Sequence, residues 1–476
     1  MSLKKKTISG VKWTTFSTVI VTLLQLLQIS ILARFLDPSA FGLMALVMVV
    51  VGLSQAFLDM GVSNAIIHKQ EITHEQLSTL YWVNVLAGVF FFMAVCAVAP
   101  FVAEFYKEPE LSFLIILVGM TFLIQPFGQQ FMALWQKEMR FQEMAKIDII
   151  NKLVSLVVSV WFAYQGDGVY SLAYGILAGV VVQTAQFLIL GLKEHKPSFV
   201  FEAGKIKGFM SFGAYQMGER TINYFNYQID MVLIGKLLGT EALGVYSIAK
   251  QLVMRPAQVF NPIITKVTFP AMAKMQDNME RLKSIYLKTI NYLSSVNFPA
   301  YAFIFIFAHD LVLVLFGEKW LEAVSVIQIL SVWGAIRSTG NPVGSLLMAK
   351  GKASWGFWWN LGILFYVPVG VYVGSRWGLI GVSWALIVLQ LSLVIPNWYF
   401  LVKPLSGASF SEYHLQIFKP ALIALLAGAC AYTFTISLEF GVIKLLLGAM
   451  AGFVSTACLN WIGNREFIDE LKSVRG

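Results

Sequence analysis

Long apolar runs, each closed by a short polar break, recur from one end of this chain to the other. Fourteen of them reach the roughly 20 residues that a helix needs to cross a hydrocarbon layer. They are 10–35, 39–62, 77–103, 111–134, 145–164, 168–191, 210–236, 241–266, 289–308, 323–349, 354–375, 378–402, 415–437 and 440–462. Within 212–238 the polar residues keep to one side. At 100° per residue Gln216, Glu219, Arg220, Asn223, Tyr227 and Asp230 share an arc of roughly 100°, and the opposite side is Met, Ile, Phe and Val. Ionised groups at membrane depth are costly, so this stripe is expected to face protein or water rather than lipid. It either lines a hydrated path or forms an internal ion pair between helices.

The next run favours the hydrated path, because it has a matching stripe. Lys250, Gln251, Arg255, Gln258, Asn261 and Thr265 fall within roughly 140° of arc, with Pro256 and Pro262 among them. Each proline frees a backbone carbonyl and permits a bend, either a working hinge or a static kink. The run 323–349 adds Arg337, Ser338, Asn341 and Ser345. Arg220, Arg255 and Arg337 each sit near the middle of a span, which predicts three guanidiniums at one depth.

An internal repeat orders these runs. Residues 31–46, ILARFLDPSAFGLMAL, match 233–248, LIGKLLGTEALGVYSI, at an offset of 202, pairing Arg34 with Lys236, Leu36 with Leu238, Ala40 with Ala242 and Gly42 with Gly244. This reads as a helix end, an outer turn and a glycine that lets the returning helix pack closely. LWQK at 134–137 echoes LMAK at 347–350, and GVYSLAY at 168–174 echoes GLIGVSW at 378–384. The offsets there have grown to 213 and 210. Six helices repeating in one orientation predict an all-α polytopic membrane protein of two parallel six-helix lobes plus a C-terminal helix pair. The lobes are 1–202 and 203–404, and 405–476 holds the extra pair and a tail. At offset 202, Glu219, Arg220, Lys250 and Arg255 correspond to Ser17, Thr18, Met48 and Leu53. The charges therefore belong to the second lobe and are not demanded by the fold. Between Lys12 and Arg34 the first helix offers only neutral polar groups, Gln25 among them.

Composition agrees with a membrane setting. The 476 residues are 58% hydrophobic and 13% charged, against about a quarter charged in soluble proteins, and mean hydropathy is +0.71. A net charge of +9 would suggest nucleic acid in a soluble protein. Here the positive-inside bias accounts for it, and no nucleic-acid partner is expected. With the N-terminus inside, 24 of the 35 Lys and Arg residues fall in inner segments and only 5 in outer ones. That alternation supports fourteen crossings with both termini cytoplasmic. The start, MSLKKK, runs into its apolar stretch without a small-residue cleavage site and reads as a retained first helix. Cys96, Cys430 and Cys458 lie inside apolar runs without metal spacing, and the five histidines form no ligand motif.

Some residues have readings of their own. Asp59, in LDMG, is a turn or capping residue or else an ion site. Gln125, Gln129, Gln130 and Gln136 either face a cavity or bond between helices. Lys444 is expected to snorkel to the outer surface, and 268–288 to form an interfacial helix. Trp355, Trp358 and Trp359 at one level and Trp377 and Trp384 at the other read as an aromatic belt.

Several stretches, GVKW (10–13), LARFLDPSAFGLMAL (32–46), LDMGVSNAII (58–67) and THEQLSTLYWVN (73–84), resemble the polysaccharide exporter branch of the multidrug/oligosaccharidyl-lipid/polysaccharide (MOP) flippase superfamily. The likeness is greatest to the colanic-acid-exporter-like group of Wzx flippases. The resemblance implies a carrier of lipid-linked oligosaccharide in the bacterial inner membrane, a transporter and not an enzyme, working by alternating access. It also implies a functional monomer, associated with polysaccharide assembly proteins, and makes the extra helix pair the counterpart of the lipid-tail groove of lipid II flippases. An undecaprenyl-pyrophosphate head is anionic, and arginine forks suit phosphate oxygens. The expected substrate residues are therefore Arg220, Arg255, Arg337 and Lys250, with Gln216, Asn223, Tyr227, Gln258, Asn261, Asn341 and Gln25. Glu219, Asp230 and Asp59 are the candidates for coupling to a proton or a sodium ion, and the membrane potential is a further driving force. No cofactor is expected. A drug/cation antiporter on the same fold is the alternative; it typically keeps an acidic site in the first lobe, where helix 1 here has none. A membrane glycan polymerase or acyltransferase would need a catalytic constellation that the sequence does not display.

Overall fold

The computed structural model describes residues 3–58, 66, 72–200, 207–340, 342–439 and 441–464. Asp59 and Asn341 lie outside the described residues, as do the side chains of Gln216, Glu219 and Arg220. The chain forms two compact units, Met1–Gly244 and Val245–Gly476.

The first unit contains α1 (Leu3–Phe35), α2 (Pro38–Leu58), α3 (His74–Tyr106), α4 (Glu110–Gly119), α5 (Thr121–Ile124), α6 (Pro126–Lys137), α7 (Phe141–Gln165) and α8 (Tyr170–Gly191). It also takes the first part of α9 (Lys207–Lys274), which continues into the second unit. There follow α10 (Met279–Ile306), α11 (Ala308–Leu315), α12 (Ala323–Gly340), α13 (Pro342–Ala349), α14 (Ala353–Gly374) and α15 (Gly378–Ser392). After the short α16 (Val394–Asn397) and α17 (Lys403–Ser406), α18 (Phe410–Thr435) and α19 (Val442–Gly463) complete the unit.

Among the described residues nine helices are long and apolar enough to cross a membrane, or eleven if each of two bent pairs is one span. One bent pair is Glu110–Ile124 with Pro126–Lys137, at 51°; the other is α10 with α11, at 74°. Pro126 explains the first, since it has no N–H for the carbonyl four residues back. The expected interfacial helix over 268–288 is not one element. Instead α9 runs to Lys274, and α10 begins at Met279, where the Asn278 side chain accepts from the Arg281 N–H at 3.1 Å. An N-cap of this kind starts a new helix there.

Small residues and buried amides join the helices of the first unit. Gln28 of α1 donates to Ser159 of α7 at 2.8 Å, and Gly175 and Gly179 bring α8 against Ser159 and Asn151. The repeated outer turns meet each other reciprocally. Gly42 packs on the Thr240 carbonyl and Gly244 on the Pro38 carbonyl, and 38 and 240 are partners at the repeat offset just as 42 and 244 are. A Cβ on either glycine would lie 3.1 Å from the backbone nitrogen of the other. Further along the same seam Tyr224 Oη donates to the Val49 carbonyl at 2.7 Å, over Gly52. The break in α9 is at Gly239, whose φ of 88° belongs to the left-handed region glycine tolerates.

In the second unit α19 is tied to α10–α11 at both ends. At one end Asn464 Nδ2 donates to Asn291 Oδ1 and Ser295 Oγ, each at 3.0 Å, and Asn291 donates to Gln416 of α18 at 3.0 Å. At the other, Lys444 does not snorkel but pairs with Asp310 at 3.3 Å. Asp310 is buried on α11, so a charged partner there outweighs reaching out to water.

Candidate substrate site

The second unit brings several of the predicted residues together. Lys250 is 2% exposed, with its ammonium 5.9 Å from the ring centre of Tyr246. Half-buried Arg255 donates from Nη2 to Gln251 Oε1 at 3.3 Å, across one helical turn. Gln258 is exposed and Asn261 is buried. Pro256 and Pro262 leave α9 in helical conformation. On α12 the Arg337 guanidinium lies 5.0 Å over the Trp333 ring, a stacking that holds a delocalised cation without a carboxylate.

Two contacts fix the register of α9 against α12. Gly334 is the close-approach point, where a Cβ would come 2.8 Å from Val253 and 2.7 Å from Tyr301 of α10. Further on, Asn261 Nδ2 donates to the Ser338 carbonyl at 3.4 Å. Arg255 and Arg337 both lie in the stretch bracketed by these contacts. None of the segments 245–276, 281–309 and 323–349 contains Asp or Glu. These three segments are thus cationic in sequence, and their neutral polar groups include amides and hydroxyls.

Sequence reasoning passed over Asn297, a fully buried residue of α10. Its Nδ2 donates to Asn261 Oδ1 at 2.8 Å. A lone Asn next to Pro299 in an apolar run was the available signal. The remaining expected residues lie in the first unit, where Gln25 and Tyr227 are half-buried and Asn223 is exposed. Asp230 is 4% exposed there, and its Oδ1 accepts from the Met231 N–H at 2.8 Å. At one end of that unit Glu194 receives Arg140 at 2.6 Å and Trp135 Nε1 at 3.1 Å. The Arg140 hydrogen bond holds the Glu194 carboxyl below its ordinary range. Burial, and then the neighbouring His74, push His195 down, the two rings being 4.7 Å apart.

Residues 31–325 match the model of a family described as polysaccharide biosynthesis protein. The chain is 34% identical to the lipopolysaccharide biosynthesis protein WzxC of Escherichia coli (strain K12), over 92% of this chain and 89% of that one. It is also 34% identical to the teichuronic acid biosynthesis protein TuaB of Bacillus subtilis (strain 168), over 92% of this chain and 91% of the other. Among solved structures, the lipid II flippase MurJ in an inward closed conformation superposes with a TM-score of 0.75 at 12% identity. It covers 97% of this chain and 100% of its own, which shows a shared fold. This multi-pass membrane protein therefore belongs to the polysaccharide biosynthesis protein family, and it shares its fold with the lipid II flippase structure.

Proposed function

We propose that the protein is a flippase that moves an undecaprenyl-pyrophosphate-linked oligosaccharide from the inner to the outer leaflet of the bacterial inner membrane, by alternating access of two lobes. The observation that carries this reading is the gathering of Lys250 and Arg255 on α9 with Arg337 on α12 of the same unit, Arg337 being stacked on Trp333. A cluster of cations at membrane depth suits an anion, whereas a cation antiporter needs the opposite sign. The products named in WzxC and TuaB, lipopolysaccharide and teichuronic acid, favour a glycan over a drug. Arg220 is a further candidate for phosphate, and Gln216, Asn223, Tyr227, Gln258, Asn261, Asn341 and Gln25 for sugar hydroxyls, on residue type and helical pattern alone. An inside-negative potential assists the outward passage of an anion by roughly 2.3 kcal/mol per charge per 100 mV. Coupling to a proton or sodium ion, through Glu219 or Asp230 in preference to Asp59, adds to that drive.

Fourteen crossings follow when the two 54-residue stretches Thr221–Lys274 and Ala353–Ser406 each count as a pair and 323–349 is added. Both termini then lie in the cytoplasm. A C-terminal reporter active only in the periplasm stays silent on this topology.

The decisive experiment replaces Arg255 and Arg337 separately by Ala and by Lys, scoring export of the glycan in cells alongside the amount of protein in the membrane. Ala lowers export with protein amount unchanged, and Lys restores part of it, because an ammonium cannot reproduce a bidentate fork. Normal export by both Ala variants, with only stability reduced, would show that these arginines merely tie helices together.

A further inference from the structure

Trp333 and Arg337 are four residues apart on α12, so they stand one turn from each other on the same face. Helical side chains tilt toward the N-terminus, and the arginine accordingly leans back over the indole. Trp333 is 4% exposed, while Arg337 is half-buried with its guanidinium carbon 5.0 Å from the ring centre. At the adjoining Gly334, Val253 and Tyr301 approach within 2.8 Å and 2.7 Å of where a Cβ would lie, which fixes the rotation of α12. The ring thus has a set orientation in the core, and the guanidinium above it takes its plane from the ring.

The first unit shows how such a stack holds an anion. Arg140 lies 4.1 Å over the Trp135 ring, and its Nη1 donates to Glu194 Oε1 at 2.6 Å. The indole covers one face of that guanidinium, and the N–H edge grips the carboxylate. Arg337 on Trp333 has the stacked half of this arrangement and no acid of its own. Residues 323–411 contain no Asp or Glu, and among the described residues no hydrogen bond or ion pair engages the Arg337 nitrogens. A guanidinium carries its five N–H donors in its plane, around the rim, so a ring on one face leaves all of them available.

We propose that Trp333 is the positioning residue of the anion site, holding the Arg337 guanidinium so that its N–H edge takes the phosphate oxygens of the substrate. The proposal rests on the flippase reading and deepens it. Attraction to the ring face stabilises the charge at membrane depth, and it does so without a carboxylate that would compete with phosphate. Covering one guanidinium face also favours edge-on, bidentate contact with phosphate over stacking against a sugar ring.

The test uses the full chain in nanodiscs of a zwitterionic lipid, with inorganic pyrophosphate as the probe and sodium chloride at matched ionic strength as the control. Melting temperature reads binding. The parent is expected to show a saturable rise, and Arg337→Ala to weaken the apparent affinity at least tenfold. Trp333→Phe and Trp333→Met remove similar bulk, but Phe keeps an aromatic face and Met does not. Met should weaken the affinity at least fivefold and Phe at most twofold. In the Arg337→Ala background neither substitution should weaken it further. Trp384→Leu, at an exposed ring of α15, should bind as the parent does. Export per amount of membrane protein should rank the Phe and Met variants in the same order, so a Met variant too unstable to purify still decides the point. Equal losses in the Phe and Met variants, or the same loss from Met with and without Arg337, would mean that the ring merely fills the core. Either result would overturn the inference and leave the anion reading standing. A parent that shows no rise with pyrophosphate would remove the anion site and this inference together.

Discussion

Replacing Gly42 by Ala tests whether the two repeated turns interlock as the structure shows. A Cβ at position 42 would lie 2.7 Å from the Thr240 carbonyl carbon and closer still to its oxygen. Comfortable carbon contacts are about 3.5–4.0 Å, so the two backbones must part by roughly 1 Å. The atoms in the way are main chain, and no side-chain rotation relieves them. Parting them loses the close Cα–H to carbonyl contacts, worth about 0.5–1 kcal/mol each, on top of an overpacking cost of about 1–3 kcal/mol. For a body of about 200 residues each kcal/mol moves the melting temperature by about 2–4 °C. Gly42→Ala is thus expected to melt at least about 2 °C lower, and Gly244→Ala likewise, through the Pro38 carbonyl. Once the first substitution has opened the seam the second meets less resistance, so the double variant should lose less than the sum. Thermal denaturation of purified protein, followed by tryptophan fluorescence, reads all three. Two single variants that melt within 1 °C of the parent, or a strictly additive double, would refute the reciprocal packing.

Three further outcomes are expected. Lys444→Met leaves Asp310 buried and unpaired, and should cost more stability than Asp310→Asn, whose stranded lysine is nearer water; the double variant should recover part of the loss, because neither charge is then left alone. Asn464→Leu removes three hydrogen bonds at one end of α19, and should raise protease sensitivity of that helix while export falls only in proportion to protein amount. His195 has its folded pKa below the ordinary 6.5, so the unfolded chain binds the proton first. Its stabilising contribution is complete above pH 6.5 and is lost as pH falls toward the folded value. Melting temperature should therefore drop more steeply below pH 6.5 in the parent than in His195→Gln, and equal slopes would contradict the assignment.

Periodic apolar runs, the 202-residue repeat, the charge alternation and the polar stripes were all present in the sequence. They were enough for a polytopic helical fold and for the family, because helix formation and membrane insertion depend on neighbours within a few turns. The chemistry of Arg255 and Arg337 was also readable, since a guanidinium in an apolar run demands an explanation wherever it points. Partners distant along the chain were not readable. Lys444 looked like a snorkelling residue until α11 placed Asp310 beside it. Asn297 looked like one polar residue in a helix until α9 and α12 supplied Asn261 and the Ser338 carbonyl. Gly42 and Gly244 were aligned as equivalents, but alignment gives correspondence and not contact; their mutual packing arises where two helices approach closely enough that a side chain would not fit. Local pattern fixes which face of a helix is polar, whereas only the crossing of helices decides what that face meets.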